Sequence, residues 1–215
     1  ELWRDDIPRV LCFHIACEQM RKTTNGDIDR MFYWAIESDD VAVMAWARGQ
    51  MAKWPADTTY RAALVGSLEC LAYAHENGAE WHPYTTHTAA RVGSLGCLAY
   101  AHENGAVWCP KTTDAAARAG SLECLAYAHQ HGAPWNPETI YAAAYAGSLP
   151  CLAYAHEHGA EWTPETTYGA VLAGSRECLA YAHEHGAEWH PETAQKAKDV
   201  GAQDCLEYIR QIGKY

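Results

Sequence analysis

The sequence predicts an all-α fold, an α-solenoid built from stacked helix-turn-helix repeats. Three observations carry that prediction: a block of sequence that returns every 27 residues, two helix signals with stop residues inside each block, and no segment with the period-2 alternation of a half-buried strand. Beginning at Gly66 the chain reads GSLECLAYAHENGAEWHPYTTHTAARV, and this returns with scattered changes from Gly93, Gly120, Gly147 and Gly174. A partial copy runs from Gly201 to Tyr215. Shifting the frame back one period sets Val43, Ala45, Trp46, Trp54 and Thr58 against Cys70, Ala72, Tyr73, Trp81 and Thr85, so Asp39 to Val65 is a diverged copy. Residues 12–38 look like one more, eroded. The predicted organisation is therefore residues 1–38 as an N-terminal helical cap and eroded repeat, 39–200 as six repeats, and 201–215 as a C-terminal capping half-repeat.

Taken in chain order, Ile7 to Met20 reads as a helix with Val10, Leu11, His14, Ile15 and Cys17 on one side, placed to cover the first hairpin. Each unit then carries two helices, here called A and B. In one copy Asn136 is predicted to cap helix A, Pro137 to open it, Glu138 to favour its positive end and Gly147 to stop it. Ser148 caps helix B, whose segment LPCLAYAHEH ends at Gly159. The apolar set Leu149, Cys151, Leu152, Tyr154 and Ala155 is wider than one stripe, as a helix packed on several sides requires. At the C-terminus LAYAH becomes LEYIR, which puts Glu207 and Arg210 where a solenoid needs a polar end.

Composition narrows the function classes. With 49% hydrophobic and 20% charged residues the 215-residue chain is expected to be globular. Its apolar runs are far shorter than a membrane span, and no basic start with an apolar core marks export. A formal net charge of −11, from 27 acids and 16 bases, disfavours binding to a phosphate backbone. The nine cysteines are odd in number and six recur at one interval, which points to a reduced, intracellular (cytoplasmic) setting. Nucleic acid and membrane partners are not expected, nor is a cofactor.

The order of residues in a unit is distinctive: Ala89 and Ala90, the turn residue Gly93, Leu-Glu-x-Leu at Leu68, Glu69 and Leu71, then Asn77, Gly78 and Ala79. It resembles the ankyrin repeat, over nearly all of residues 39–215. Thr85, Thr86 and His87 stand where that family's Thr-Pro-Leu-His opens the first helix, and the unit is about six residues shorter than the common ~33. The missing segment corresponds to the β-hairpin finger, so the resemblance implies an ankyrin-like stack lacking fingers. The wording Leu-Glu-Cys-Leu-x-Tyr-Ala-His-Glu-Asn-Gly followed by Trp is similar to shortened ankyrin repeats carried by giant viruses of amoebae, often behind an F-box. The resemblance thus implies a viral protein in a host–virus interaction, with a ubiquitin-ligase substrate receptor as one form. In that viral setting the location would be host cytoplasm or virion. Glu1-Leu2-Trp3 with Ile7 and Pro8 is too short to count as an F-box.

Three ladders carry side chains that invite chemistry. Trp81, Trp108, Trp135, Trp162 and Trp189 follow Gly-Ala by two positions, where they either close the shortened loop or form an exposed aromatic strip. Cys70, Cys97, Cys124, Cys151, Cys178 and Cys205 fall on helices that stack ~8–10 Å apart, too far for disulfides or a shared zinc, and read as small buried hydrophobes. Cys109 stands apart beside Pro110, where a helix start would activate a thiol. His75, His102, His129, His156 and His183 recur near the end of helix B, with His131, His158 and His185 two residues after the last member of their own unit. Positions two apart on a helix diverge, so structural or solvated imidazoles are expected, with a pH-sensitive stack and metal binding as the alternatives. No phosphate-binding glycine loop, HExxH, paired CxxC or GxSxG occurs, so the sequence carries no enzyme signature.

Positions held constant across units serve stacking, and positions that change are free to read a ligand. The alanine of Ala89 persists as Ala62, Ala116, Ala143, Ala170 and Ala197. Change gathers at the sites of Tyr84, His87, Thr88 and Arg91, spaced for one face of helix A. The candidate partner-binding residues on that face are Tyr84, His87, Arg91, Lys111, Asp114, Arg118, Tyr141, Tyr145, Tyr168 and Leu172. Tyr and Arg dominate interface hot spots, which makes Arg91, Arg118, Tyr141, Tyr145 and Tyr168 the leading members. Ordinary surface drift is the competing account, and Tyr141 and Tyr168 could instead pack between repeats. The function these readings favour is a protein-interaction scaffold gripping an unidentified protein partner along helix A. The alternative is a structural repeat tiling, with self-association, inside a larger assembly.

Overall fold

The computed structural model describes residues 25–213 and is all-helical, with fourteen helices and, among the described residues, no strand. The predicted helix Ile7 to Met20 lies outside the described residues. The chain divides at Glu80 and Trp81 into two compact units. None of the described helices is long and apolar enough to cross a membrane.

The first unit holds α1 (Asn25–Glu37), α2 (Val41–Gly49), α3 (Thr58–Val65) and α4 (Leu68–Glu76). They form two hairpins, α1 on α2 and α3 on α4, packed with α1 against α3 and α2 against α4. Phe32, Ile36, Met44 and Leu71 fill the space between them. Asp39 adopts φ +54° at the position where later repeats have glycine, and its carboxylate accepts a hydrogen bond from the Ser67 hydroxyl. A short polar side chain that can bond locally is the usual non-glycine occupant of the left-handed region.

The second unit repeats the hairpin five times: α5 (Thr85–Arg91) with α6 (Leu95–Glu103), α7 (Thr112–Arg118) with α8 (Leu122–Gln130), α9 (Thr139–Tyr145) with α10 (Leu149–Glu157), α11 (Thr166–Leu172) with α12 (Arg176–Glu184), and α13 (Thr193–Asp199) with α14 (Gln203–Gln211). The odd-numbered A helices pack in sequence on one another, and the even-numbered B helices do the same. Composition sets the layers. Ala115, Ala116 and Ala117 of α7 and Ala142, Ala143 and Ala144 of α9 are buried, so small side chains let the A helices approach closely, with Thr113 and Thr139 in hydroxyl contact at 3.1 Å between them. The B helices α6, α8, α10 and α12 bury one Cys, one Leu and one Ala each, as with Cys124, Leu125 and Ala128 of α8, whereas α14 buries Cys205, Leu206, Tyr208 and Ile209.

The turn inside a hairpin follows from its Gly-Ser pair. Gly120 takes φ +67°, Ser121 donates its N–H back to Ala116 O at 3.1 Å, and the Ser121 hydroxyl accepts from Cys124 N at 3.3 Å. One glycine thus ends a helix while the next residue caps another. Helix A begins later than the sequence predicts. Asn136 Oδ1 accepts from Glu138 N at 2.9 Å and its carbonyl accepts from Thr139 N at 2.9 Å, so Asn136 shapes a turn before the helix rather than capping it. The helix starts at Thr139, whose N–H is taken by the Asn136 turn and whose side chain is fully buried.

Leu152 of α10 has no exposed surface, and its truncation to Ala should cost about 2–5 kcal/mol. At Gly147 (φ +67°) an added Cβ would meet the Ala173 Cβ at 3.4 Å. Gly147→Ala should cost about 1–2 kcal/mol for the left-handed backbone. Urea denaturation of both variants measures this, and a Gly147→Ala protein as stable as the parent would contradict the assigned turn.

Candidate functional site

All ten residues singled out on the variable face fall in the second unit, and the structure treats them unequally. Tyr84 and Lys111 occupy the residue just before α5 and α7 rather than a full helical turn, and both are exposed. Arg91 is exposed at the last residue of α5. His87 is half-buried, its Nδ1 lying 3.3 Å from Lys111 O on the neighbouring repeat. Asp114 is buried at 7% exposure and accepts from Arg118 Nη2 at 3.1 Å. The Arg118 guanidinium in turn sits 5.7 Å from the Tyr145 ring centroid. Tyr145 is 45% exposed, and its ring lies 5.9 Å from that of Tyr141.

Tyr141 is half-buried. A Cβ built on Gly169 would fall 3.0 Å from its ring, so Tyr141 occupies space left by the missing side chain on the next repeat. Burial pushes its phenol pKa up. Tyr168 is half-buried as well, with its ring 5.1 Å from that of His190 and 5.7 Å from Lys196 Nζ. Leu172 closes α11 half-buried. The structure brings Asp114, Arg118, Tyr141 and Tyr145 into one cluster and leaves Tyr84, Arg91 and Lys111 reaching outward.

The opposite edge of the repeats carries a second, regular array. Trp81, Trp108, Trp135 and Trp162 each donate from Nε1 to the carbonyl that ends the next B helix: Asn104 at 3.0 Å, then His131, His158 and His185 at 3.1 Å. These rings are half-buried. His102 and His129 stack on Trp108 and Trp135 at 4.5 Å, and His156 lies tilted on Trp162 at the same separation. The Nδ1 atoms of His102, His129, His156 and His183 lie 2.9 to 3.3 Å from the hydroxyls of Tyr127, Tyr154, Tyr181 and Tyr208 on the following repeat. His131, His158 and His185 lie against the rings of those first three tyrosines. The tryptophans therefore close the shortened loops, and the histidines fill the seams between them.

A further set of residues escaped the sequence reasoning. Thr86, Thr113 and Thr167 are fully buried. Each hydroxyl donates to a carbonyl of the next loop, Val107 at 3.2 Å, Pro134 at 3.0 Å and Glu188 at 3.5 Å. Each also accepts from a loop N–H, of Cys109, Asn136 and His190 at 3.0 to 3.1 Å. The signal was present as the recurring Thr-Thr doublet. Where Ile140 interrupts it, Thr163 N turns instead to Thr166 Oγ1 within its own repeat at 3.3 Å.

The cysteine ladder is fully buried and free of disulfides. Burial raises the thiol pKa of Cys70 and Cys205 to about 11 and pushes Cys124, Cys151 and Cys178 in the same direction. Such thiols are inert. Cys109 is buried too, and its helix begins three residues later at Thr112, so the structure removes the exposed helix start that would have activated it. Among the described residues no three His, Cys, Asp or Glu side chains converge as a metal site.

No protein-family model matches the chain, and none of the curated proteins does. Among solved structures, the crystal structure of the human ASB11 ankyrin repeat domain is similar to it. The TM-score is 0.60 at 18% identity, with 73% of this chain and 84% of that one covered. At that identity the likeness shows the fold: these hairpins are stacked as ankyrin repeats.

His129 provides a pH test of the seam. Burial lowers its pKa, with repulsion from His158 adding to the effect. The folded state then binds fewer protons than the unfolded chain just below the ordinary histidine value of about 6.5. Stability should be full above that value and fall as the pH drops through it. Thermal denaturation between pH 7.5 and 5.5 measures the slope, which His129→Gln should flatten; an equal slope in the variant would refute the assignment.

Proposed function

We propose that the chain is a protein-interaction scaffold whose partner lies along the A-helix face of the second unit. One observation carries this reading: the residues that change from repeat to repeat on that face include the side chains the stack leaves accessible, Tyr84, Arg91, Lys111, Arg118 and Tyr145. Tyr84 is 54% exposed and Tyr145 45%, so both rings are accessible to a partner. Tyrosine and arginine join large contact area to hydrogen bonding, which is why they dominate hot spots. The ankyrin-repeat fold supports the reading, since its hairpins present a row of helices with few constraints on outward residues. Binding suits the site better than catalysis, because its polar groups pair with each other, as Asp114 with Arg118, instead of converging on a pocket.

The similarity of the repeat wording to giant-virus ankyrin proteins supports a narrower version, in which the partner is a host protein. A substrate-receptor role in ubiquitin ligation is the form in which an F-box elsewhere in the protein would take part.

Arg118→Ala with Tyr145→Ala should weaken a purified partner, first captured from host-cell extract and identified by mass spectrometry, by at least about tenfold. Because Arg118 neutralises a buried carboxylate, Tyr145→Ala alone is measured beside it, with circular dichroism as the check on folding. Unchanged affinity in both folded variants would overturn the face assignment.

A further inference from the structure

The A-helix face of the second unit changes character along its length. At α5 and α7 it presents Arg91, Lys111 and Arg118, in a chain whose formal net charge is −11. Among the described residues Arg91 and Lys111 have no carboxylate partner. On the same helices Asp114 is buried and already held by Arg118, while exposed Glu138 and Glu165 take the place of Lys111 in the next two repeats. One and two repeats further on, the site of Arg118 becomes Tyr145 and then Leu172, an exposed ring and a half-buried aliphatic side chain. The face therefore offers a cationic end followed by an end with Tyr145, Leu172 and acids in place of Lys111, so a ligand's carboxylates are favoured over the first end only.

We propose that this surface takes an extended acidic segment of its partner, with carboxylates over Arg91 and Arg118 and apolar side chains over Tyr145 and Leu172. The inference rests on the A-helix reading above and adds the chemistry of the occupant. Register follows from geometry. Neighbouring packed helices lie ~8–10 Å apart and an extended chain advances ~3.3 Å per residue, so successive anchors fall about three residues apart. The matching pattern is acid, acid, aromatic, aliphatic at three-residue steps. Arg91 and Lys111 keep their charges free of internal ion pairs, so an incoming carboxylate has no internal partner to displace there. Arg118 is already oriented by Asp114 and by the Tyr145 ring, which limits the ordering it must undergo on binding.

The test uses the whole chain and a fluorescein-labelled peptide, Glu-Ser-Thr-Glu-Ser-Thr-Phe-Ser-Thr-Leu, beside a control with both Glu replaced by Lys. Fluorescence anisotropy should show saturable binding of the first peptide, at least about tenfold tighter than the control and weakened by salt. The variant R91E/K111E leaves every described ion pair intact and should raise the dissociation constant about tenfold or more. Equal binding of the two peptides, or an unaffected R91E/K111E protein, would overturn the proposal. If the acidic peptide fails while Tyr145→Ala still loses the captured partner, the acidic occupant is wrong and the face is right. If both fail, the face itself is wrong. A concentration-dependent dimer in sedimentation velocity that R91E/K111E dissociates would make the occupant a second copy of this chain, and would equally overturn it.

Discussion

A helix of seven residues cannot hold itself together in water, because nucleation costs more than its few hydrogen bonds return. Every A helix of the second unit has that length, from α5 to α13. What one repeat supplies to the next therefore decides whether any of them exists. Buried alanines let the helices approach, and the second threonine of each doublet satisfies a loop carbonyl and a loop N–H that would otherwise be stranded. The indole N–H reaches across to the carbonyl where the following B helix stops. The loops between hairpins have no strand of their own among the described residues, and these three links hold them instead.

The same links assign the two edges of the repeats different tasks. On the B-helix edge, tryptophan, histidine and tyrosine stack within their own repeat and hydrogen-bond to the next, so a change there disturbs a seam. Imidazoles two residues apart in sequence, such as His156 and His158, point into different seams, and each finds its close imidazole neighbour on an adjacent repeat. His156 lies 5.3 Å from His185, and His129 the same distance from His158. On the A-helix edge, the outward positions meet few such demands, and chemistry can vary there without loosening the stack.

The period, the helical hairpins and the burial of the cysteines were legible from the sequence because each is repeated, and repetition averages away local exceptions. Helix boundaries were less legible. Asn136-Pro137 has the residues of a helix start, yet the same residues build a turn just as well, and the bonds from Glu138 N and Thr139 N back to Asn136 show that they do. The threonine links were overlooked since a buried hydroxyl and an exposed one look alike in sequence. Cys109 misled for the opposite reason: proximity to a proline indicated a helix terminus but said nothing about exposure. Of the candidate face, the sequence located the positions but could not tell which side chains turn back onto the stack.

That last distinction depends on coupled departures from the repeat. Gly169 stands where other copies have Thr88, Ala115, Ala142 or Lys196, inside a short helix where glycine costs up to about 1 kcal/mol relative to alanine. The Tyr141 ring fills the space above it, and any Cβ would have to move that ring or be moved by it. The two residues form one packing arrangement, which accounts for how the Tyr141 ring is seated, although Tyr60 and Tyr168 hold the same position opposite Thr88 and Lys196. Tyr145 has no glycine complement: the Arg118 guanidinium lies over its ring at 5.7 Å, the Tyr141 ring lies tilted beside it at 5.9 Å, and the residue is 45% exposed. A departure from the repeat with a compensating partner inside the stack is accounted for by folding. Arg91 and Lys111, with no described ion pair, and Tyr84 and Tyr145, which stay largely exposed despite ring contacts, are the departures that stacking alone does not explain.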